Sequence, residues 1–291
     1  MLKSMNQIEH NSRSGWHGRL QLTYRHHLAK TQAIEHYGIA PLKVQRAFYP
    51  EGDAICHNTI LHTAGGIVGG DRLQIAIDLQ PESRAVITTA AAGKIYTSNG
   101  DLAAQTIVQN IGDNACLEWL PQETIIFDGA IFHQHLRVNL APTASWLGWE
   151  ILRFGRTARG ERFTNGIWKS ATEIYRQGDP VWIDRQLLVG DETIDRANSL
   201  AGYPSVGSLA WIAPGGSVTA DAGVSKDLVI NARSLFTGEP SRIGVTRLSA
   251  GLLCRYRGDS TTEVRRWFTA VWHLLRSSFL NSPPIHPRVW Q

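Results

Sequence analysis

The sequence predicts a mainly β protein, and three observations carry that expectation. Apolar and polar residues alternate along several stretches. Turn residues interrupt those stretches roughly every 10 to 20 positions between Leu20 and Val189. Helix-period patterns are confined to a few segments, most of them late in the chain. A period of two sends one strand face to a core and the other to water. Such spacing favours an all-β sandwich, a barrel or a β-solenoid over alternating strand–helix units. No exact internal repeat is visible, so periodicity alone does not single out the solenoid.

The strands come first. Leu20, Leu22 and Tyr24 alternate with Arg19, Gln21, Thr23 and Arg25. Leu73, Ile75, Ile77 and Leu79 alternate with Gln74, Ala76 and Asp78, and Leu136, Val138 and Leu140 with Arg137 and Asn139. Shorter apolar runs at Ala85 to Thr89, Ile125 to Phe127 and Leu252 to Cys254 suit strands buried on both faces. Asn99-Gly100-Asp101, Gly112-Asp113-Asn114, Asp128-Gly129 and Gly178-Asp179-Pro180 supply turn or hairpin chemistry between them.

Two or three helices are expected. A short one covers Thr193 to Ala201, with Gly202 as its stop. The stretch Tyr203 to Ser217 then reads as a long loop. A second helix runs from about Ser225 to Phe236, with Leu228, Ala232, Leu235 and Phe236 on one side. The clearest lies near the C-terminus. There Ser260 and Glu263 fit a capping box, and Val264, Trp267, Phe268, Val271, Leu274 and Leu275 recur at helical steps. Pro283 and Pro284 forbid its continuation. No linker stands out, so residues 1–291 read as one domain, with 1–15 disordered.

Composition narrows the function classes. The 291 residues are 43% hydrophobic and carry a formal net charge of +4. A chain of this length can bury roughly three quarters of the surface its unfolded form exposes, so it needs no disulfide. Lys and Arg are scattered, which leaves nucleic-acid binding unsupported; the mild excess could favour an acidic protein partner. Cys56, Cys116 and Cys254 are odd in number and widely spaced, against a disulfide framework or a zinc knuckle. The N-terminal stretch is polar where a secretory signal would be apolar, and no window is long and apolar enough for a membrane helix. The cytoplasm is the expected compartment.

Four constellations bear on chemistry. His62-Thr63-Ala64-Gly65-Gly66-Ile67-Val68-Gly69-Gly70-Asp71 loosely resembles a phosphate loop, but a strand pattern follows it and no Gly-Lys-Ser/Thr does. Its paired glycines read as a turn of close backbone approach, or as a partner-facing or metal-path loop. His62 and Asp71 flank it. Glu118, Glu123 and Asp128 stand in the apolar stretch Leu117 to Gly129, either on wet faces and turns or on an internal polar path. Trp149 to Phe163 holds Glu150, Glu161 and four arginines, read as ion pairs or a charged docking loop. Cys56-His57 with His62, and His133 with His135, have spacings able to meet a divalent ion. Gly-x-Ser-x-Gly and His-Glu-x-x-His are both absent. An enzyme would have to work with paired carboxylates, as a β-solenoid carbohydrate-active enzyme does.

Pro41 to Gly52, the glycine block His62 to Leu73, Leu117 to Ala130 with its Pro-Gln-Glu-Thr-Ile-Ile-Phe-Asp-Gly run, Gly148 to Phe163, and Thr246 to Tyr256 together resemble the urease accessory protein UreD (UreH) family. The resemblance implies a β-helix-like fold without catalytic activity. It implies association with UreF, the GTPase UreG and the urease apoprotein, and passage of nickel through an internal tunnel. No cofactor is expected to be held tightly, only Ni2+ in transit. On chemistry and motif position, His62, Asp71, Glu118, Glu123, Asp128, Glu150 and Glu161 are the candidate residues of that path.

Overall fold

The computed structural model describes residues 15–191, 194–215, 224–280 and 282–290. Strand β1 (His17–His27) turns back at Leu28 and Ala29, both at positive φ, into β2 (Lys30–Ile39). The chain crosses to a second sheet through β3 (Leu42–Val44) and β4 (Ile55–His62). It then repeats one circuit. β5 (Arg72–Leu79) lies in the first sheet, β6 (Arg84–Thr89) in the second, and short β7 (Gly93–Ile95) on the connecting side. β8 (Ala103–Ile111), β9 (Cys116–Trp119) and β10 (Thr124–Ile126) retrace it. β11 (Ile131–Leu140) and β12 (Ser145–Phe154) follow the same course. β13 (Ile167–Arg176) opens the last circuit and hairpins into β14 (Asp179–Val189).

Each circuit stacks on the one before in parallel register. Arg72 lies opposite Ala104, and Ala104 opposite His133. In the second sheet Arg84 lies opposite Cys116, and Cys116 opposite Ser145. The expected turns at Gly112 to Asn114 and Asp128-Gly129 are corners of this solenoid. Asn114 and Gly129 take positive φ there. A Cβ on Gly112 would meet the Pro81 backbone N at 2.8 Å, so the corners can stack only without one. Of the predicted turn signals, Gly178 alone makes a hairpin, with Gln177 beside it at positive φ.

The solenoid face that carries the site is completed late in the chain. β15 (Ser205–Ile212) pairs antiparallel with β12, and with β17 (Gly251–Gly258), which in turn pairs with β16 (Ile243–Leu248). The loop expected over Tyr203 to Ser217 is therefore mostly strand. Its flanking Pro204 and Pro214 hid a core of Leu209, Ala210, Trp211 and Ile212, all buried. Ser217 lies outside the described residues.

Two apolar layers share the second sheet. Its inner face, with Cys56, Ile60, Ile87, Leu117 and Trp146, packs against Leu20, Leu22, Leu73, Ile75 and Val138 of the first sheet. Its outer face, with Val86, Leu147, Trp149 and Leu209, packs against helix α2 (Thr261–Phe279) and helix α1 (Lys226–Ser234). Burial on both faces explains the unbroken apolar runs at Ala85 to Thr89 and Leu252 to Cys254. The first sheet is covered on one face only, and its strands alternate accordingly.

Both longer helices stand where expected. Ser225 Oγ accepts from Leu228 N at 3.0 Å, and Ser260 Oγ from Glu263 N at 3.2 Å. The capping box on α2 is only half made. The Tyr256 hydroxyl donates to Glu263 at 2.6 Å and accepts from Ser260 N at 3.3 Å, so the tyrosine stands between the two. The third helix does not form. Residues 194–202 make successive turns, with Leu200 N bonded to Ile194 O rather than to a carbonyl four residues back. Buried Ile194 and Leu200 anchor those turns in the core, and Ala201 and Gly202 take positive φ. Thr193 lies outside the described residues. So do residues 1–14, on which most of the expected disorder at 1–15 falls.

Candidate functional site

Between the inner faces of the two sheets lies a cavity of about 380 Å³. Its walls are mostly apolar, with Trp119, Trp146 and Trp182 among them. Gly65, Ala91 and Lys94 line it and are exposed, which marks its mouth. Polar side chains interrupt those walls, among them His62 at the end of β4, Gln105 on β8, Gln134 on β11, Glu150 on β12 and Asp184 on β14. The solenoid brings them into one chamber although His62 and Asp184 lie far from Gln134 and Glu150 in sequence.

Each donor is held differently. His62 Nδ1 sits 3.1 Å from the Ala64 carbonyl, which makes Nδ1 the protonated nitrogen. In the neutral ring His62 Nε2 is then a lone pair, and it is buried with no hydrogen-bond partner. Glu150 accepts from Gln134 Nε2 at 2.6 Å. Burial pushes the Glu150 carboxyl up to about 7, Asp184 adds to the rise, and the Gln134 bond and Arg255 offset part of it. Asp184 pairs with Arg255 at 2.8 Å and accepts from Gln186 at 2.7 Å. Arg255 also reaches Ser208 Oγ at 2.5 Å. The cavity thus offers one unengaged imidazole and two carboxylates already held by protein donors.

The other candidate residues are dispersed. Asp71 is buried, but it clasps the glycine loop: Oδ1 accepts from Trp16 N at 2.8 Å and Oδ2 from Val68 N at 3.0 Å. Gly69 and Gly66 in that loop face backbone at distances that exclude a Cβ, which supports the turn reading. Glu123 pairs with Arg265 of α2. Asp128 accepts from Thr164 N at 2.6 Å and Asn165 N at 2.7 Å. Glu161 pairs with Arg156 and accepts from Asp128 N at 3.2 Å. Arg162 pairs with Asp195, so the arginine-rich block is a cross-braced loop. His135 sits 3.5 Å from Glu173 while His133 has Lys169 and Arg72 near it, and the two do not converge on one point. Cys56 packs in the inter-sheet core and His57 faces the opposite side, so neither joins His62.

Residues 17–291 match the model of the family described as UreD urease accessory protein. This chain belongs to the UreD family. The urease accessory protein UreD of Nostoc punctiforme is 58% identical over 278 residues, 95% of this chain and 96% of that one. Its counterpart in Acaryochloris marina is 51% identical over 290 residues, covering 98% and 99%. The one in a Synechocystis strain is 41% identical over 265 residues, covering 90% and 95%. The UreD match begins at the first residue of β1 and takes in every circuit and both longer helices.

Sequence reasoning missed a second polar cluster in this UreD chain. On the outer face of the second sheet, Glu51 pairs with Arg276 of α2 and with His57 Nε2 at 2.8 Å. Glu118 lies 3.5 Å from Arg276 Nε, and all four side chains are nearly sealed from water. Burial raises the Glu118 carboxyl to about 7 against the pull of Arg276. Glu118 therefore belongs to the helix-docking face, while its neighbour Trp119 lines the cavity. Gln134 and Asp184 were also missed. Gln134 stands among Phe132, Leu136 and Val138 on an otherwise apolar strand face, whereas Asp184 shares its face with Gln186 and has no such local signal. Among the described residues, no group of three or more His, Cys, Asp or Glu is placed to hold a metal ion.

Proposed function

We propose that the chain is a non-catalytic urease assembly factor that passes Ni2+ toward the urease active site, in complex with UreF, UreG and the urease apoprotein. Family membership supports the urease role. The cavity supports transit. A structural metal site closes three or four protein ligands around its ion. Here the His62 lone pair, Glu150 and Asp184 are spread along a largely apolar chamber, and each carboxylate is already satisfied by Gln134 or Arg255. An ion would exchange a few oxygen and imidazole contacts at a time and move on, because each held donor competes for its own partner. Imidazole and carboxylate both suit Ni2+.

GTP hydrolysis falls to UreG in this reading, in keeping with a glycine block that lacks the Lys-Ser/Thr of a phosphate loop. The complex is placed in the cytoplasm. Residues 1–291 act as one domain, since both apolar layers share one sheet. The test is co-expression with urease and the other accessory proteins. Glu150→Ala with Asp184→Ala, or His62→Ala, should lower the nickel content of urease several-fold while the assembly still forms. The purified chain alone should show no hydrolase activity. Full nickel loading of urease by the cavity variants would overturn the transit reading, and full loading without the chain would overturn the accessory role.

A further inference from the structure

His273 on α2 and His286 in the segment beyond Pro283 and Pro284 face each other outside the cavity. Their Nε2 atoms stand 2.9 Å apart. The rings are 5.1 Å apart between centroids and lie at 90°. Two nitrogens each about 2.1 Å from a metal ion and at a right angle to each other are about 3 Å apart. That is the cis edge of a square-planar or octahedral centre, the geometries favoured by Ni2+ and Cu2+ with nitrogen and oxygen ligands. A tetrahedral ion would hold the same two nitrogens wider, at about 3.4 Å.

The surroundings hold both rings in place but leave room for a small tilt. Trp272 stacks on the His286 ring at 6.2 Å and 24°, and Trp290 flanks it at 5.9 Å. Trp290 is in turn held by Thr88 Oγ1 at 3.0 Å and stacked on Trp149 at 5.5 Å. Pro284 and Pro287, on either side of His286, are buried. His273 is carried by a helix whose next residues toward the sheet, Trp272, Leu275 and Arg276, are buried. Little side-chain freedom remains to be lost when an ion arrives. His286 is exposed and His273 half-buried, so the remaining coordination positions face solvent.

We propose that His273 and His286 form an open two-nitrogen site for Ni2+ on the helical face, separate from the inter-sheet cavity. The choice of nickel rests on the proposed function; the existence of the site does not. Without an ion, one Nε2–H donates to the other Nε2. On binding, that proton passes through solvent to Nδ1 of its own ring, a small tilt of each ring within its packing brings both Nε2 lone pairs to the ion, and the neutral pair releases no net proton. Water or a partner's side chain completes the shell.

The test uses the full chain without an affinity tag, Ni2+ alone in a non-coordinating buffer, and Cu2+ as a spectroscopic probe. Equilibrium dialysis should find a site whose affinity falls at least tenfold in both His273→Asn and His286→Asn. The electron paramagnetic resonance spectrum of bound Cu2+ should show two nitrogen ligands in the native chain and lose one in each variant. Because His286 is exposed, its variant should lower the melting temperature only slightly, which separates lost ligation from lost fold. Unchanged nickel binding in both variants, or a native Cu2+ spectrum without two nitrogens, would leave the pair as a hydrogen bond and end the proposal. Normal urease loading by the cavity variants would remove the transit reading and leave this site standing.

Discussion

Asp128 accepts backbone N–H groups from Thr164 and Asn165 and the side-chain amide of Asn165. Partial burial alone would raise its carboxyl, but these bonds outweigh it and hold the group below the usual range. The residue therefore fastens the connection between β12 and β13. Asp128→Ala should cost about 1–3 kcal/mol, since several charge-assisted bonds are lost together. A depressed carboxyl stabilises the fold above its unfolded pKa and ceases to as pH falls through the folded value. The gap between native and variant melting temperatures should therefore narrow from pH 7 to pH 3. Glu118 has the opposite sign. Its carboxyl is raised to about 7, so the folded state holds its proton longer than the unfolded state and stability falls as pH rises from about 4.5 to 7. Glu118→Gln removes that slope. Urea titrations should show the variant gaining roughly 1–3 kcal/mol on the native chain between pH 5 and pH 8. Parallel pH profiles would show that Glu118 is charged throughout.

Element by element, the strands with one wet face were the legible ones. Leu20, Leu22 and Tyr24, and Leu73 through Leu79, point inward as alternation required. What alternation cannot convey is which strand lies beside which. Parallel neighbours such as β5 and β8 are joined through two intervening strands, and their register is set by stacked corners rather than by any local pattern. β15 escaped notice because its burial on both faces erased the alternation and its ends are rich in glycine and proline. Gly207 in β15 shows what that composition is for. A Cβ there would stand 2.6 Å from Val264 and 3.0 Å from Phe268, so the bare backbone lets α2 lie close on the sheet. Gly207→Val should cost about 1–3 kcal/mol by overpacking that contact. Thermal melts should show the loss, and the same change at Gly244, where nothing stands within 4 Å, should be milder.

Across the whole molecule, the candidate site was legible only in its ingredients. His62 was identifiable as the residue flanking the glycine block and Glu150 as part of the arginine-rich block, but Asp184, Gln134 and Arg255 join them only once the circuits stack. Arg276 reaches Glu51 across 225 residues of sequence, and nothing local to either marks the pair. That long-range contact also bears on how the layers depend on each other. α2 covers Val86, Leu147, Trp149 and Leu209 on the outer face of the second sheet, and Arg276 is the cation facing buried Glu51 and Glu118. A chain ending at Gly258 would open that apolar face to water and leave two carboxylates on it without their arginine. Apolar faces of this kind drive association. Removing one partner of a buried ion pair typically costs about 3–5 kcal/mol. Both effects fall on the sheet that also walls the cavity, so the solenoid should not survive the loss of its helical cover. The truncated chain should aggregate or bind a hydrophobic dye strongly. Arg276→Met, which keeps the cover but not the charge, should fold with a lowered melting temperature. A monomeric truncated chain with native circular dichroism would show instead that the two-sheet solenoid stands on its own inner core.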